Sequence, residues 1–163
     1  MKKIILIGRS ECGKTTLTQA LKGETIQYRK TQYINNWDVV IDTPGEYLQT
    51  YSLGHALALY TYEADVAGLL LSATEPYSLY PPGVAFVVNR EVIGIVTKID
   101  ESRANVKRAA KWLSLAGCKK IFYVNSKNQE GIAEILYYLK EDGDVLPWEK
   151  EMEKTTKTTK TTQ

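Results

Sequence analysis

The sequence predicts an α/β protein with a mostly parallel central sheet and helices on both faces. Two observations lead to this prediction. Short apolar runs alternate along the chain with segments in which apolar residues recur every third or fourth position, which is typical of strand–helix–strand units. The apolar runs are also nearly continuous, as in parallel strands that are buried on both faces.

The strands are expected at the apolar runs and the helices between them. Strands are predicted at residues 3–7, 38–42, 66–72, 92–97 and 120–124. Amphipathic spacing predicts helices at residues 15–21, from 106 to a stop at Gly117, and at 132–139, with Gly23 as the stop of the first. Residues 51–62 also fit a helix, and residues 84–88 a short one.

Length and composition fit one soluble domain. The chain has 163 residues, and its net charge of +2 is too small to indicate nucleic acid as a partner. No apolar stretch approaches the roughly 18 residues that span a membrane, so we expect a cytoplasmic protein. Residues 1–145 are expected to form the domain. Residues 146–163, with a Lys-Thr-Thr repeat, are expected to be a disordered tail, solvated or in contact with an acidic partner.

A phosphate-binding loop is predicted directly after the first strand. Residues 8–15 read Gly-Arg-Ser-Glu-Cys-Gly-Lys-Thr and match G-x-x-x-x-G-K-[ST] at every fixed position. In this motif backbone N–H groups and a helix N-terminus surround the phosphates, the lysine reaches the β- and γ-phosphates, and the threonine hydroxyl binds Mg²⁺. The predicted phosphate-binding residues are Gly8, Ser10, Glu11, Cys12, Gly13, Lys14, Thr15, Thr16 and, from a later segment, Gly45.

The second segment is D-x-x-G at the end of the second strand. Asp42 is expected to bind the metal and Gly45 to donate its N–H to the γ-phosphate. Taken alone, this segment fits an ordinary Pro-Gly turn equally well.

Cys12 and Cys118 are expected to be free thiols, since a disulfide would tether the phosphate loop.

Two further segments predict that the bound base is guanine. Thr97, Lys98 and Asp100 form [NT]-K-x-D at a strand end, where a carboxylate accepts from guanine N1–H and N2–H₂, a donor pair that adenine lacks. Taken without the other motifs, this segment is better explained as a solvated charge pair at a strand end. Residues 124–127, Val-Asn-Ser-Lys, resemble the fifth guanine-nucleotide motif, which is usually Ser-Ala-Lys, but depart from it at Asn125 and Ser126. The resemblance implies Ser126, through its backbone N–H, and Lys127 as guanine contacts. The predicted cofactors are GTP, with ATP as the alternative, and Mg²⁺.

This ordered set resembles small GTPases with the Ras-like architecture and, more narrowly, the EutP/PduV family. The narrower resemblance is carried by residues 8–15, 30–32, 41–47, 80–83 and 93–100 and covers about residues 1–142. It implies a role in ethanolamine or propanediol catabolism and association with bacterial microcompartments. The family's Lys-Thr-Gln at residues 30–32 implies that Thr31 is the switch residue that completes the Mg²⁺ shell with Thr15 and Asp42; Thr25 is the competitor.

Hydrolysis is expected to be slow. Lys14 and Glu46 are the candidate catalytic residues, but Glu46 stands where Ras-like enzymes carry a glutamine that orients water, and a carboxylate repels the γ-phosphate. Arg9 is a further candidate for positive charge at the phosphates.

Three functions remain open from the sequence. They are a GTP-binding switch, an ATP-dependent phosphotransferase of the acetate kinase type, and a non-catalytic assembly component that keeps a nucleotide for stability. The expected partner is a protein that contacts the switch regions, such as a microcompartment shell protein or a pathway enzyme.

Overall fold

The computed structural model describes residues 1–23, 39–41, 58, 61–146 and 148–149. The described strands form one sheet in the order β2-β1-β3-β4-β5, and every neighbouring pair is parallel. The strands are β1 (Ile4–Ile7), β2 (Val40–Ile41), β3 (Val66–Ser72), β4 (Glu91–Thr97) and β5 (Lys120–Tyr123). The described helices are α1 (Lys14–Lys22), α2 (Val106–Leu115) and α3 (Ile132–Leu139), with a 3₁₀ helix at Val84–Val87.

Helices cover both faces of this sheet. Ile4 belongs to one core cluster with Leu17 of α1 and Ile135 of α3. Ile5, the next residue, belongs to a second cluster with Leu113 of α2. Since successive strand residues point to opposite faces, the two clusters are the two sides of the sheet, and the predicted α/β fold is confirmed.

Most predicted elements agree with the structure to within a residue or two. Strand β3 has the predicted bounds, and α1 is one residue longer at each end because Gly13 and Gly23, both in the left-handed conformation, form its caps. The short helix predicted at residues 84–88 is a 3₁₀ helix. Of the helix predicted over residues 51–62, Ala58 is helical and residues 61 and 62 lie in a turn, whereas residues 51–57, 59 and 60 fall outside the described part of the chain.

The C-terminal end of the described chain packs onto the domain. Leu146 is completely buried in the core shared with α3, and the ring of Trp148 lies 5.5 Å from that of Tyr137. Glu149 pairs with Lys140 at 2.8 Å. Residues 146, 148 and 149, which fall in the segment expected to be a tail, therefore contact the domain. The disorder expected further along the tail concerns residues outside the described ranges and stays a prediction.

The parallel arrangement brings the carboxyl ends of all five described strands to one edge of the sheet. In open α/β sheets this edge is where ligands bind. Here β1 continues into residues 8–13, β4 into residues 98–101 and β5 into residues 124–131. Within the described residues, no helix is both long and apolar enough to cross a membrane.

Candidate functional site

The loop of residues 8–15 joins β1 to α1 and ends on an open helix N-terminus. Gly13 is the N-cap residue with φ 98°, no side chain caps the helix, and no acidic residue lies in its first turn. The first N–H groups of α1 thus have no intrahelical acceptor, and the positive end of the helix dipole is not offset by a carboxylate there. Lys14 Nζ donates to Gly8 O at 2.5 Å, which places the ammonium across the loop.

Packing beneath the loop explains its first glycine. A Cβ at Gly8 would lie 2.6 Å from Cys12 Sγ and 3.0 Å from Leu70 Cβ. Burial raises the pKa of the Cys12 thiol, with Lys14 opposing the rise, so the sulfur is a neutral filler below the loop. Burial likewise raises the pKa of Cys118 to about 11, and both cysteines are free, as predicted.

The end of β4 holds the phosphate loop through two of its carbonyls. Thr97 Oγ1 donates to Cys12 O at 2.6 Å, and Lys98 Nζ donates to Glu11 O at 2.7 Å. Glu11 and Lys98 both have positive φ, 64° and 56°, which is uncommon outside glycine. A trans peptide directs its C=O and N–H to opposite sides, so the Gly13 N–H points away from Thr97.

A groove of about 50 Å³ runs from the phosphate loop along these strand ends. All of the residues predicted to contact the base line it, together with two phosphate-loop residues and two residues that the sequence analysis did not single out. The lining residues are Gly13, Thr16, Thr97, Lys98, Asp100, Glu101, Asn125, Ser126 and Lys127. Asp100 and Lys127 are exposed, whereas Thr97 and Ser126 are buried.

The segment after β5 is held in a closed turn. Asn125 and Glu130 exchange backbone hydrogen bonds of 3.1 Å in both directions, and Asn125 Oδ1 accepts from Lys127 N at 3.2 Å. These bonds fix Ser126 and Lys127 against the groove. Asn125 was missed because its role is to hold the turn, although its place within the Val-Asn-Ser-Lys segment is a usable signal.

Arg9 is directed towards the loop that follows β3. Its Nη1 lies 3.1 Å from Glu75 Oε2, and its guanidinium lies 5.3 Å from the centre of the Tyr77 ring. Arg108 of α2 donates to the backbone carbonyl of Glu75 at 2.8 Å. In this arrangement Arg9 forms an ion pair with Glu75.

Tyr80, in the segment that follows β3, contacts the end of β1 where the phosphate loop begins. Its hydroxyl lies 2.6 Å from Leu70 O and 3.0 Å from Ile7 O, at the carboxyl ends of β3 and β1. Burial raises the pKa of Tyr80 well above its ordinary value, so the hydroxyl stays a donor. One signal in the sequence points to this residue, namely its place in the Tyr-Pro-Pro-Gly segment at residues 80–83.

Several predicted site residues fall outside the described ranges. These are Thr31, Asp42, Gly45 and Glu46, together with the competitor Thr25. Of the predicted Mg²⁺ ligands, Thr15 alone is described, and it lies exposed in the first turn of α1, as Ser10 does on the loop before it.

Comparison with known proteins gives consistent matches over most of the chain. A family model described as ethanolamine utilisation – propanediol utilisation (PduV-EutP) matches residues 1–141. The propanediol utilization protein PduV of Citrobacter freundii is 44% identical over 140 residues, which cover 85% of this chain and 93% of that protein. The probable acetate kinase EutP of Escherichia coli K12 is 33% identical over 142 residues, covering 85% and 89%. Its counterpart in Salmonella typhimurium is 32% identical over 142 residues, with the same coverage.

Proposed function

Since the chain belongs to the PduV–EutP family of ethanolamine and propanediol utilisation proteins, we propose that it is a Mg²⁺-dependent GTP-binding protein that hydrolyses GTP slowly. One observation supports this above the others. Thr97 and Lys98, from the predicted base-recognition segment, hydrogen-bond to carbonyls of the phosphate loop. Residues predicted to contact the phosphates and residues predicted to contact the base therefore line one groove, which supports the proposal.

The phosphates would lie on the amino end of α1. The free N–H groups there, the helix dipole and Lys14 all favour negative charge. Thr15 would hold Mg²⁺, with Thr31 and Asp42 as the expected further ligands outside the described residues. Held by these residues, Mg²⁺ would supply positive charge that offsets the negative charge of the phosphates.

The base would occupy the groove beside Asp100. Its carboxylate would accept from both guanine donors, while adenine would leave it unpaired. The stem of Lys98, whose ammonium is held by Glu11 O, forms a wall along which the purine ring can pack.

Slow turnover follows from the charges near the phosphates. Glu46 replaces the water-orienting glutamine of Ras-like enzymes, and Arg9 is paired with Glu75. An arginine directed at the phosphates accelerates such reactions by about 10³–10⁵-fold, and an Arg9 that is paired with Glu75 does not supply this acceleration.

We further propose that the protein lies in the cytoplasm, associated with microcompartments of ethanolamine or propanediol catabolism.

The second candidate is phosphoryl transfer to acetate. Relatives that are 32–33% identical carry the name probable acetate kinase EutP, and the same loop, Lys14 and Mg²⁺ would serve transfer from ATP. The third candidate, a non-catalytic assembly component, would use the groove for nucleotide binding alone.

A turnover assay on the full chain separates these candidates. Purified protein with Mg²⁺ receives GTP or ATP, with and without acetate, and both phosphate release and hydroxylamine-trapped acyl phosphate are measured. We expect GTP hydrolysis at about 10⁻³ s⁻¹ or slower, no acyl phosphate, and loss of hydrolysis in Lys14→Ala. The matched control is Lys107→Ala, an exposed lysine of α2.

Other outcomes select a different candidate. Acyl phosphate made from ATP and acetate, and lost in Lys14→Ala, would replace the GTPase with the kinase. Tight GTP binding with no turnover would favour the assembly component, and no nucleotide binding at all would overturn the proposal.

A further inference from the structure

A second concave site lies at the amino ends of β4 and β5. We call this site the basal groove; its argued residues are Phe86, Arg90, Gly117, Lys119 and Lys120, and its volume is about 370 Å³. Strand β4 has 7 residues, and at about 3.3 Å per residue the groove lies roughly 20 Å from the nucleotide site at the other end of the strand. A ligand in the basal groove would not contact the nucleotide.

One wall of the basal groove is apolar and rigid. The side chain of Phe86 is 74% exposed on the 3₁₀ helix Val84–Val87. That helix is tied to the end of α2, because Ala85 N donates to Ala116 O at 2.8 Å. Gly117, with φ 103°, permits the close approach, since a Cβ there would lie 3.0 Å from Ala85 Cβ. Phe86 is therefore presented to solvent at little further entropy cost to a binding partner.

The rest of the basal groove is cationic. Arg90, Lys119 and Lys120 line it and are exposed. The one acidic residue in its lining, Glu91, lies 3.7 Å from Lys2. Among the described residues, neither Lys119 nor Lys120 makes an ion pair, so the groove carries surplus positive charge.

Two of these cations are oriented by neighbouring groups that carry no formal charge. Arg90 donates to the carbonyls of Thr61 and Tyr62 at 3.3 Å. The Lys120 ammonium lies 4.6 Å from the centre of the Tyr138 ring. Backbone carbonyls and aromatic rings orient a cation without supplying a full negative charge, and a carboxylate of a partner would supply it.

We propose that the basal groove binds an acidic peptide segment of a partner protein, with an apolar side chain packed against Phe86 and carboxylates paired with Arg90, Lys119 and Lys120. Opposite charge selects the partner and orients it, and the apolar contact adds affinity. The tail of this chain does not fit, because Lys150, Lys154, Lys157 and Lys160 outnumber Glu151 and Glu153.

Binding in the basal groove should differ from binding at the switch regions in its dependence on the bound nucleotide. The distance of the basal groove from the phosphates makes docking independent of whether GTP or GDP is bound. The proposal does not rest on the proposed GTPase function, and it would survive if the nucleotide were ATP.

Fluorescence anisotropy with a defined probe tests the proposal. The probe is a fluorescein-labelled peptide with a central phenylalanine-leucine pair and two glutamates on each side, titrated with the full chain. We expect a Kd on the order of 100 µM, unchanged by added GTP or GDP. The same peptide with glutamines in place of glutamates should bind at least about tenfold more weakly.

Matched charge reversals locate the binding. Lys119→Glu combined with Lys120→Glu should weaken binding at least about tenfold. Lys107→Glu combined with Lys111→Glu makes the same charge change on exposed residues of α2 outside the groove lining, and should leave binding within about twofold. Phe86→Ser changes a side chain that is 74% exposed, and it should also weaken binding, which keeps the test valid if the charge reversal unfolds the chain.

Several results would overturn the proposal. The first is no binding up to about 1 mM protein. Others are equal loss in both charge-reversed pairs, or no effect of Phe86→Ser. Tighter peptide binding after truncation beyond Glu149 would identify the tail as the occupant, and a dimer lost in Phe86→Ser would identify a second copy. Binding of a polyuridine RNA together with no binding of the glutamate peptide would identify nucleic acid.

Discussion

Three side chains secure the phosphate loop by satisfying backbone carbonyls at the edge of the sheet. Thr97, Lys98 and Tyr80 each donate to a carbonyl in the loop or at the strand end beside it. Carbonyls at strand ends leave the ladder of hydrogen bonds and need other partners when they are buried. The loop thus takes its shape from residues that are distant in sequence, as well as from its own glycines.

Removing the Tyr80 hydroxyl should destabilise the domain. Tyr80→Phe keeps the ring but removes the one O–H proton that the Leu70 and Ile7 carbonyls share, which we expect to lower the free energy of unfolding by about 1–3 kcal/mol. Urea denaturation measures the loss. The control is Tyr123→Phe at an exposed position, expected to change stability by less than about 0.5 kcal/mol, and equal effects of the two substitutions would contradict the assigned role of Tyr80.

Motifs in the sequence predict candidate site residues, but they miss residues whose role depends on tertiary contact. Lys14, Thr97 and Asp100 are predicted because their spacing is tied to strand ends, and they line or border the groove. Tyr80 reaches a carbonyl 73 residues away, and Glu75 pairs with an arginine 66 residues away. No local pattern records such contacts.

At the scale of elements, the turn between β5 and α3 depends on a glycine. Gly131 is the N-cap of α3 with φ 77°, and a Cβ there would lie 2.1 Å from Tyr123 O. Backbone atoms cannot move aside as the end of a flexible side chain can. This turn carries Ser126 and Lys127 to the groove, so its geometry matters for the proposed base contacts as well as for stability.

Two glycine substitutions separate backbone strain from steric clash. Gly143 also has positive φ, 92°, but a Cβ there meets no atom of the described residues within 4 Å. We expect Gly143→Ala to cost about 1–2 kcal/mol through strain alone, and Gly131→Ala to cost at least about 2 kcal/mol more because of the clash. Urea unfolding of both variants measures the difference, and a cost for Gly131→Ala no larger than that for Gly143→Ala would show that the turn accommodates a side chain.

Element bounds are predictable here where a glycine or a long apolar run defines them. Strand β3 and the end of α1 at Gly23 follow from such signals. The 3₁₀ geometry of Val84–Val87 does not, because four residues are too few to distinguish helix types by periodicity.

At the scale of the whole molecule, the two edges of the sheet have different chemistry. The carboxyl edge holds the phosphate loop and the groove beside it, and the amino ends of β4 and β5 hold the basal groove. The alternation of strands and helices predicts the parallel sheet. It does not predict the basal groove, which depends on how the 3₁₀ helix packs on the end of α2.

The stability of the domain should also depend on Leu146, near the end of the described chain. Leu146 is completely buried, so Leu146→Ala should lower the free energy of unfolding by about 2–5 kcal/mol. Truncation after Glu149, which removes the Lys-Thr-Thr repeat, should change it by less than about 0.5 kcal/mol. Thermal and urea unfolding compare the two, and a larger loss from the truncation would mean that the tail stabilises the domain.

Nucleotide binding by the full chain tests the central claim most directly. Calorimetric titration with Mg²⁺ should give a micromolar Kd for GTP and at least about 10²-fold weaker binding of ATP. Asp100→Asn should weaken GTP by about 10-fold or more and improve binding of xanthosine triphosphate, whose changed base edge suits an amide. Equal affinity for GTP and ATP, unchanged by Asp100→Asn, would contradict the account.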